Sequence, residues 1–195
     1  LSRAASLLAD HYHLVVTNPP YLGLGAMSDD LAAHVRGEFD VAKRELALCM
    51  TARISQLVRP CGTMALVLPG EWTYARAYRA FRSQFLAHHS VHTLVRLGPN
   101  AFSSGVRANP VLIVASAGAT TAGAIATFDV MKESVEEKGQ SLRSMDVAVV
   151  SQRVWREAPD NRMLGSARDL RLGSTMADYA DARNGLSAGD SARFE

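Results

Sequence analysis

The chain has 195 residues, of which 48% are hydrophobic and 21% charged, and its formal net charge is +2. This balance is typical of a globular chain with one domain and the start of a second, and it excludes disordered and collagen-like classes. The charge neither predicts nor excludes nucleic-acid binding. Two cysteines, Cys49 and Cys61, exclude a disulfide framework and predict a reducing cytoplasm. No apolar run is long enough for a bilayer, so we expect no membrane partner.

The first half of the chain alternates between apolar runs and helical periodicity. The run 14–16 (Leu-Val-Val) predicts a strand buried on both faces, as in parallel sheets. Pro19 and Pro20 end this strand because neither can donate a ladder hydrogen bond. Apolar residues then recur at helical spacing over 41–58, which predicts an amphipathic helix, and the Arg-Pro-Cys-Gly turn at 59–62 is expected to break it.

Three further apolar runs predict strands at 63–69, 91–98 and 110–116, with a helix between the first two. Strands that alternate with helices indicate a parallel sheet with helical crossovers, so the fold class is α/β. The last two strands are joined by a loop without a helix, so we expect them to be antiparallel neighbours. The pattern weakens after Gly118, where one more strand is expected before a charged, solvated stretch at 131–140.

The segment Asn18-Pro19-Pro20-Tyr21 directly follows the first predicted strand. Ligands of open parallel sheets bind beyond the carboxyl ends of the strands. The prolines remove two backbone donors and the Asn18 side chain adds a carbonyl acceptor, so the loop is suited to gripping an amino group. Tyr21 adds a flat ring on which an unstacked base could lie. The alternative is a strand-ending turn in which Asn18 caps and Tyr21 packs.

The exocyclic amine of adenine fits this arrangement. Its lone pair is delocalised into the ring, and two acceptors at its hydrogens stabilise the positive charge that develops as the nitrogen attacks a methyl donor. The donor must lie in line with the nitrogen and close to it. The strand, helix and strand that surround the motif favour this catalytic interpretation over a simple turn.

Three stretches resemble a known family. "VVTNPPY" resembles the catalytic motif of amino-group DNA methyltransferases in the N6-adenine form, and "LVRPCGTMALVLPGEW" is similar to the helix end and strand that follow it. "DARNGLSAGDSARF" at 181–194 resembles the segment that opens their target-recognition region. The combination is similar to the large single-chain adenine methyltransferases of bacterial phage defence, namely the BREX methyltransferases of the PglX type and the fused type II restriction–modification enzymes.

The resemblance implies site-specific DNA adenine-N6 methylation, with S-adenosylmethionine as cofactor and double-stranded DNA with a flipped adenine as partner. By position, Asn18 and the Pro19 carbonyl would grip the adenine amino group. Pro20 would keep the loop rigid, and Tyr21 would stack on one face of the base. Phe102 lies where the family often has an aromatic residue for the other face, and the alternative for it is a loop phenylalanine tucked into the core.

The same resemblance assigns Gly185, Gly189 and Arg193 to the opening of the recognition region, where they would meet DNA. Their alternatives are turn glycines and a surface arginine, and Ser191 departs from the asparagine usual in the family. We therefore expect a methyltransferase catalytic half-domain over 1–125, a connecting segment over 126–180, and the start of the target-recognition region over 181–195.

Enzymes of this order carry a glycine-rich loop for S-adenosylmethionine upstream of the Asn-Pro-Pro-Tyr strand. The 17 residues before Asn18 contain no glycine. We therefore expect this chain to hold the C-terminal half of a Rossmann-like, class I S-adenosylmethionine-dependent methyltransferase sheet. An upstream half of the same enzyme would then supply the cofactor-binding loop.

Two other functions remain open at this point. Glutamine-N5 methyltransferases of release factors share the tetrapeptide, although they are compact and would not be expected to carry the recognition-like tail. A non-catalytic DNA-binding remnant, or one subunit of a split enzyme, would also lack the cofactor loop. The six histidines have no partner at ligand spacing and indicate no metal site. Arg76, Arg79 and Arg82 are interpreted as a solvated basic helix face.

Overall fold

The computed structural model describes residues 3–99, 101, 109–118 and 123–163. These residues form a central sheet in the order β1-β2-β4-β3-β5-β6. The strands are β1 (Tyr12–Thr17), β2 (Val58–Pro69), β3 (His89–Arg96), β4 (Pro110–Ala117), β5 (Ala124–Asp129) and β6 (Ala148–Ser151). β1 with β2 and β3 with β5 are parallel pairs, whereas β4 is antiparallel to both of its neighbours. This confirms the α/β class and the antiparallel pairing of β3 with β4.

Six α-helices accompany the sheet in the described part of the chain. They are α1 (Arg3–Ala9), α2 (Asp29–Glu38), α3 (Leu46–Leu57), α4 (Arg79–His88), α5 (Val135–Ser144) and α6 (Gln152–Glu157). α3 connects β1 to β2 and α4 connects β2 to β3, and β1, β2 and β3 all run parallel to one another. Both connections also move toward the same edge of the sheet. Right-handed crossovers therefore place α3 and α4 on the same face. None of the helices described is long and apolar enough to cross a membrane.

The core lies between the sheet and these two crossover helices. In β2 the side chains of Met64, Leu66 and Leu68 are fully buried, whereas the residues between them are only half-buried, which is the period-2 alternation of a strand. Trp72 packs edge-on against Phe81 and Phe85 of α4, each with ring centroids 5.5 Å from the indole. This aromatic cluster ties the segment after β2 to the helix that follows it.

The boundary between α3 and β2 differs from the sequence prediction. α3 begins at Leu46 rather than at residue 41, and β2 begins at Val58, so the Arg-Pro-Cys-Gly segment lies inside a strand. The pairing with β1 shifts register there, and Cys61 has a φ of 63°. A Cβ on Gly62 would lie 3.0 Å from the Tyr12 carbonyl oxygen and nearer still to Val58, so only glycine fits this close approach.

Residues 14–16 are not buried on both faces, so that prediction was wrong. Leu14 is 59% exposed and Val16 is 69% exposed, and side chains two residues apart in a strand point to the same face of the sheet. A run of apolar residues is typical of a strand covered on both sides, and here one side of β1 has no cover among the described residues. The apolar side chains on this face of β1 are therefore exposed in the described structure.

Arg82 is not part of a solvated basic face, so that interpretation was also wrong. Its side chain is fully buried, and its guanidinium donates to the carbonyl oxygens of Trp72, Ala75 and Asp160. Burial lowers the pKa of Arg82 to about 10, against a smaller opposing effect of Asp160. A buried guanidinium of this kind fastens three loop carbonyls to α4.

The sheet continues beyond residue 125, which lies within β5. α5 begins with a capping box between Ser134 and Glu137, and α6 buries Trp155 and Gln152. The Gln152 side chain donates to the carbonyls of Leu86 and His89 and accepts from the amide of Val91. Residues of the expected connecting segment thus pack on the same sheet, and the expected recognition segment 181–195 lies outside the described residues.

Candidate active site

The carboxyl ends of β1, β2, β3 and β5 lie along one edge of the sheet, because these strands all run in the same direction. Asn18 follows β1 directly. Thr17 pairs with Leu66, so β2 runs three residues further before it reaches Gly70. The Asn-Pro-Pro-Tyr loop therefore lies beside the projecting end of β2, at the edge where open sheets bind their ligands.

The loop presents Asn18 to solvent and buries the proline that follows it. Asn18 is exposed, and its side-chain amide makes no hydrogen bond to any other residue that the structure describes. Pro19 is buried and Pro20 is exposed. Fixed φ angles at both prolines stiffen the backbone on either side of the Pro19 carbonyl. The Asn18 side-chain oxygen is therefore able to accept a hydrogen bond from a ligand without first breaking a hydrogen bond within the protein.

Tyr21 is half-buried and packs against the hydrophobic core. Its hydroxyl oxygen is buried and has no hydrogen-bond partner. Burial, and to a smaller degree the charge of Glu45, raises the pKa of Tyr21 to about 12. The phenol is thus neutral at physiological pH, which leaves the ring, rather than an ionised oxygen, as the chemically useful part of this side chain.

The chain leaving Tyr21 is bound to the start of α3. The Leu24 amide donates to the Arg44 carbonyl at 3.0 Å, and the Leu46 amide donates to the Leu22 carbonyl at 2.9 Å. The Glu45 carboxylate accepts from the Leu22 amide at 2.6 Å. The sequence analysis did not identify Glu45, because it placed this residue inside the helix predicted over 41–58, whereas the structure places it at the N-cap of α3.

Tyr78 links this region to the segment after β2. Burial raises the pKa of Tyr78, the charges of Glu45 and Glu71 raise it further, and Arg44 lowers it. Glu45 therefore acts electrostatically on both Tyr21 and Tyr78. Tyr21 in the loop after β1 and Tyr78 in the 3-10 turn Arg76–Tyr78 thus share Glu45 as an electrostatic neighbour.

A small cavity of about 110 Å³ opens at the same edge, between the ends of β2 and β3. Its lining includes Tyr74, Arg96 and Asn109. The Gly70 amide donates to the Asn109 carbonyl at 2.7 Å, and a Cβ on Gly70 would lie 2.3 Å from that oxygen. Glycine is therefore required where β2 leaves the sheet, and the resulting close contact shapes the wall of this cavity.

The described residues before Asn18 offer no glycine-rich loop of the kind expected to bind S-adenosylmethionine. Residues 3–17 contain no glycine, and hence no glycine-rich loop between a strand and a helix. A larger cavity of about 500 Å³ lies between α3 and α4, but its lining includes His88, His89 and Ala117, which mark the opposite edge of the sheet. The larger cavity is thus separated from the Asn-Pro-Pro-Tyr loop, which lies at the carboxyl ends of the parallel strands.

Four predicted site residues lie outside the described residues, namely Phe102, Gly185, Gly189 and Arg193. Their assigned roles stay predictions. Asn18, Pro19, Pro20 and Tyr21 are all described, and the structure places them together at the carboxyl edge of β1.

Comparisons with known proteins agree with this geometry. A model of the Eco57I restriction-modification methylase family matches residues 5–102, which is half of the chain. The adenine-specific methyltransferase PglX of Lacticaseibacillus casei (strain Zhang) is 28% identical over 102 residues, covering 52% of this chain and 8% of that protein. The adenine-specific methyltransferase BrxX of Escherichia coli O9:H4 (strain HS) is 32% identical over 98 residues, covering 50% of this chain and 8% of that protein. The match therefore spans less than a tenth of either relative.

Solved structures share the fold. A nuclease-deletion mutant of the Type ISP restriction-modification enzyme LlaGI, in complex with a DNA substrate mimic, superposes with a TM-score of 0.61 at 13% identity, covering 82% of this chain and 18% of that chain. A modification subunit of a type I restriction enzyme from Vibrio vulnificus YJ016 gives a TM-score of 0.52 at 17% identity, covering 73% and 34%. At these identities the structures establish the fold alone. The family match over half of the chain establishes more: this chain belongs to the Eco57I restriction-modification methylase family.

Proposed function

We propose that this chain carries the catalytic part of a site-specific, adenine-N6 DNA methyltransferase of a bacterial restriction–modification or phage-defence system. The family match and the names of the curated relatives support this proposal. The observation that carries it is the Asn18 amide, which is exposed and without a partner in the described structure, beside the buried Pro19 at the carboxyl end of β1.

In this proposal the Asn18 side-chain oxygen and the Pro19 carbonyl oxygen each accept one hydrogen of the adenine amino group. Both bonds strengthen as positive charge develops on the nitrogen, so they stabilise the transition state more than the ground state. Pro20 holds the loop rigid, so little reorganisation is needed at the moment of attack. The exposed part of the Tyr21 ring, and Phe102 from the opposite side, would hold the flipped base by stacking.

We propose that S-adenosylmethionine is the methyl donor and that an upstream part of the same enzyme holds it. The exposed face of β1 supports this arrangement, because Leu14 and Val16 present apolar side chains there. Leu7 and Leu8 of α1 add to the exposed apolar surface, at 53% and 63% exposure. A further strand and helix that covered this surface would complete the sheet and bring the cofactor loop to the edge that carries Asn18.

The DNA partner is proposed to be double-stranded, with the target adenine flipped out of the helix. Flipping is required because the amino group of a paired adenine is engaged in the duplex and cannot reach a loop at a sheet edge. Gly185, Gly189 and Arg193 would begin the region that contacts DNA around the target. The setting of such an enzyme is the bacterial cytoplasm, where its DNA substrate lies.

The first measurement is S-adenosylmethionine binding to this chain by calorimetry, with Asn18→Ala as a parallel sample. We expect no binding heat from either sample at high cofactor concentration. Clear binding by this chain would overturn the assignment of the cofactor site to an upstream part.

The second measurement is methyl transfer from labelled S-adenosylmethionine to unmethylated DNA, with the upstream part of the enzyme supplied. Asn18→Ala is expected to reduce the rate by at least about 100-fold. The matched control is Gln140→Ala on the exposed face of α5, which should leave the rate unchanged. Transfer to a glutamine side chain of a peptide instead of DNA would favour a glutamine-N5 methyltransferase. No transfer to either substrate would favour a non-catalytic remnant.

A further inference from the structure

Glu45 occupies the N-cap position of α3 without capping that helix. Its side chain makes no hydrogen bond to the helix amides. Its carboxylate instead accepts from the Leu22 backbone amide at 2.6 Å, one residue after the Asn-Pro-Pro-Tyr segment. The carboxylate acceptor makes this a charge-assisted hydrogen bond, which is stronger than one between neutral groups. The Glu45 carboxylate therefore binds the backbone of the loop that follows β1 and does not cap the N-terminal amides of α3.

Two backbone bonds flank this contact and give it a fixed geometry. Gly23 and Glu45 form an isolated antiparallel bridge, with hydrogen bonds from Leu24 to Arg44 and from Leu46 to Leu22. The ladder cannot continue, since α3 begins at Leu46 and the carbonyl groups of a helix point along its axis. The Leu22 amide therefore has no carbonyl opposite it, and the Glu45 side chain supplies the acceptor.

The anchor is rigid on the side of the helix. Ala47, Leu48 and Cys49 in the first turn of α3 are fully or almost fully buried. On the side of the loop, only Tyr21 and two prolines of fixed φ separate Leu22 from Asn18. A displacement of the Leu22 backbone would thus move the Tyr21 ring and the Pro19 carbonyl by a similar distance.

We propose that Glu45 is a positioning residue for methyl transfer: by holding the Leu22 amide, it sets the orientation of the Asn18–Tyr21 loop toward the adenine. This inference rests on the proposed function for its effect on rate, although not for the anchor itself. Glu45 touches neither substrate nor methyl donor in this role. A glutamine at position 45 keeps an acceptor oxygen at the same reach, whereas alanine removes it and aspartate is one methylene too short.

The anchor is tested by hydrogen exchange at the Leu22 amide, followed by nuclear magnetic resonance on the whole chain. We expect Glu45→Ala to increase the exchange rate of this amide at least about 10-fold, and Glu45→Gln to keep it within about threefold of the original protein. Glu38→Ala, at the exposed end of α2, is the matched control and should leave Leu22 unchanged. If Glu45→Ala does not fold, Glu45→Asp takes its place with the same expectation. Unchanged exchange in the acceptor-deficient variant would overturn the anchor.

The positioning role is tested by the kinetics of adenine methylation, with the upstream part of the enzyme supplied. We expect kcat to fall about 10- to 100-fold in Glu45→Ala and to be rescued in Glu45→Gln. The KM for DNA should change less than about twofold, because phosphate contacts dominate DNA affinity. Faster Leu22 exchange with an unchanged kcat would overturn the positioning role. A complete lack of adenine methylation by the unsubstituted enzyme would instead overturn the proposed function, and the exchange result would still decide the anchor.

Discussion

The guanidinium of Arg82 donates two hydrogen bonds to the backbone carbonyl of Asp160, at 3.1 and 2.8 Å, across 78 residues of sequence. The same group donates to the carbonyls of Trp72 and Ala75, at 2.6 and 2.7 Å. Arg82 thus joins α4 to the turn that follows β2 and to the turn that follows α6. One buried side chain therefore connects the last described turn of the chain to the segment that follows β2, the strand next to β1.

We expect Arg82→Met to lower the free energy of unfolding by about 3 kcal/mol. The methionine fills much of the volume, but one buried and two part-buried carbonyl groups lose their donors, and a fully buried loss costs about 1–3 kcal/mol before the structure relaxes. Urea denaturation measures the change. Arg79→Met is the matched control, because the Arg79 side chain is 64% exposed and lies 3.8 Å from the Asp160 carboxylate, so its loss should cost less than about 0.5 kcal/mol. Equal losses in both variants would contradict the buried clamp.

Gln152→Leu should destabilise the packing of α6 on the sheet. The Gln152 side chain satisfies the Leu86 and His89 carbonyls and the Val91 amide, all in the buried junction between α4 and β3. A leucine removes these partners without leaving a large cavity, so we expect a loss of about 2–4 kcal/mol in the free energy of unfolding. Denaturation with Gln140→Leu as the exposed control checks this. A loss below about 0.5 kcal/mol would show that β6 and α6 are independent of the core.

His89 should make stability fall as the pH drops below about 6.5. Burial lowers the pKa of His89, against the raising effect of the hydrogen bond to the Phe85 carbonyl. In the unfolded chain His89 becomes protonated near pH 6.5, whereas in the folded chain it stays neutral to a lower pH. The free energy of unfolding therefore decreases between the unfolded pKa and the lower folded pKa. The loss from this group has a limiting slope of about 1.4 kcal/mol per pH unit. His89→Gln should flatten the pH dependence of unfolding between pH 6.5 and 5, whereas His13→Gln, at an exposed position, should not.

Tyr21→Phe is expected to leave both stability and methylation almost unchanged. The hydroxyl of Tyr21 is buried without a partner, so its removal should alter the free energy of unfolding by less than about 1 kcal/mol in either direction. The ring needed for stacking remains. Tyr21→Ala removes the ring, and we expect a loss of about 1–3 kcal/mol in base stacking. A large drop in kcat for Tyr21→Phe would assign the hydroxyl a chemical role that the structure does not provide.

Val16→Lys should reduce self-association of the chain while leaving its fold intact. Val16 is 69% exposed on the edge strand β1, and a lysine there is a common device against edge-to-edge pairing. Sedimentation velocity should show a lower fraction of associated species, with thermal stability changed by less than about 0.5 kcal/mol. The same variant should weaken binding of the upstream part of the enzyme about 10-fold. Val149→Lys, on the opposite edge strand β6, is the control for that binding.

The sequence by itself determined the order of the four strands and two crossover helices of the first 118 residues, though not the boundary between α3 and β2, and it determined the place of the Asn18–Tyr21 loop at a strand end. Those features follow from local signals, since periodicity, proline and apolar runs act over a few residues. Only the tertiary structure decided the roles of Glu45, Arg82 and Gln152, and it exposed Leu14 and Val16. The hydrogen-bond partners of Glu45, Arg82 and Gln152 lie up to 78 residues away in the chain. The exposure of a strand depends on which elements cover it. The spacing of neighbouring residues predicts neither these hydrogen bonds nor the exposure of a strand, because both arise only when distant segments pack together.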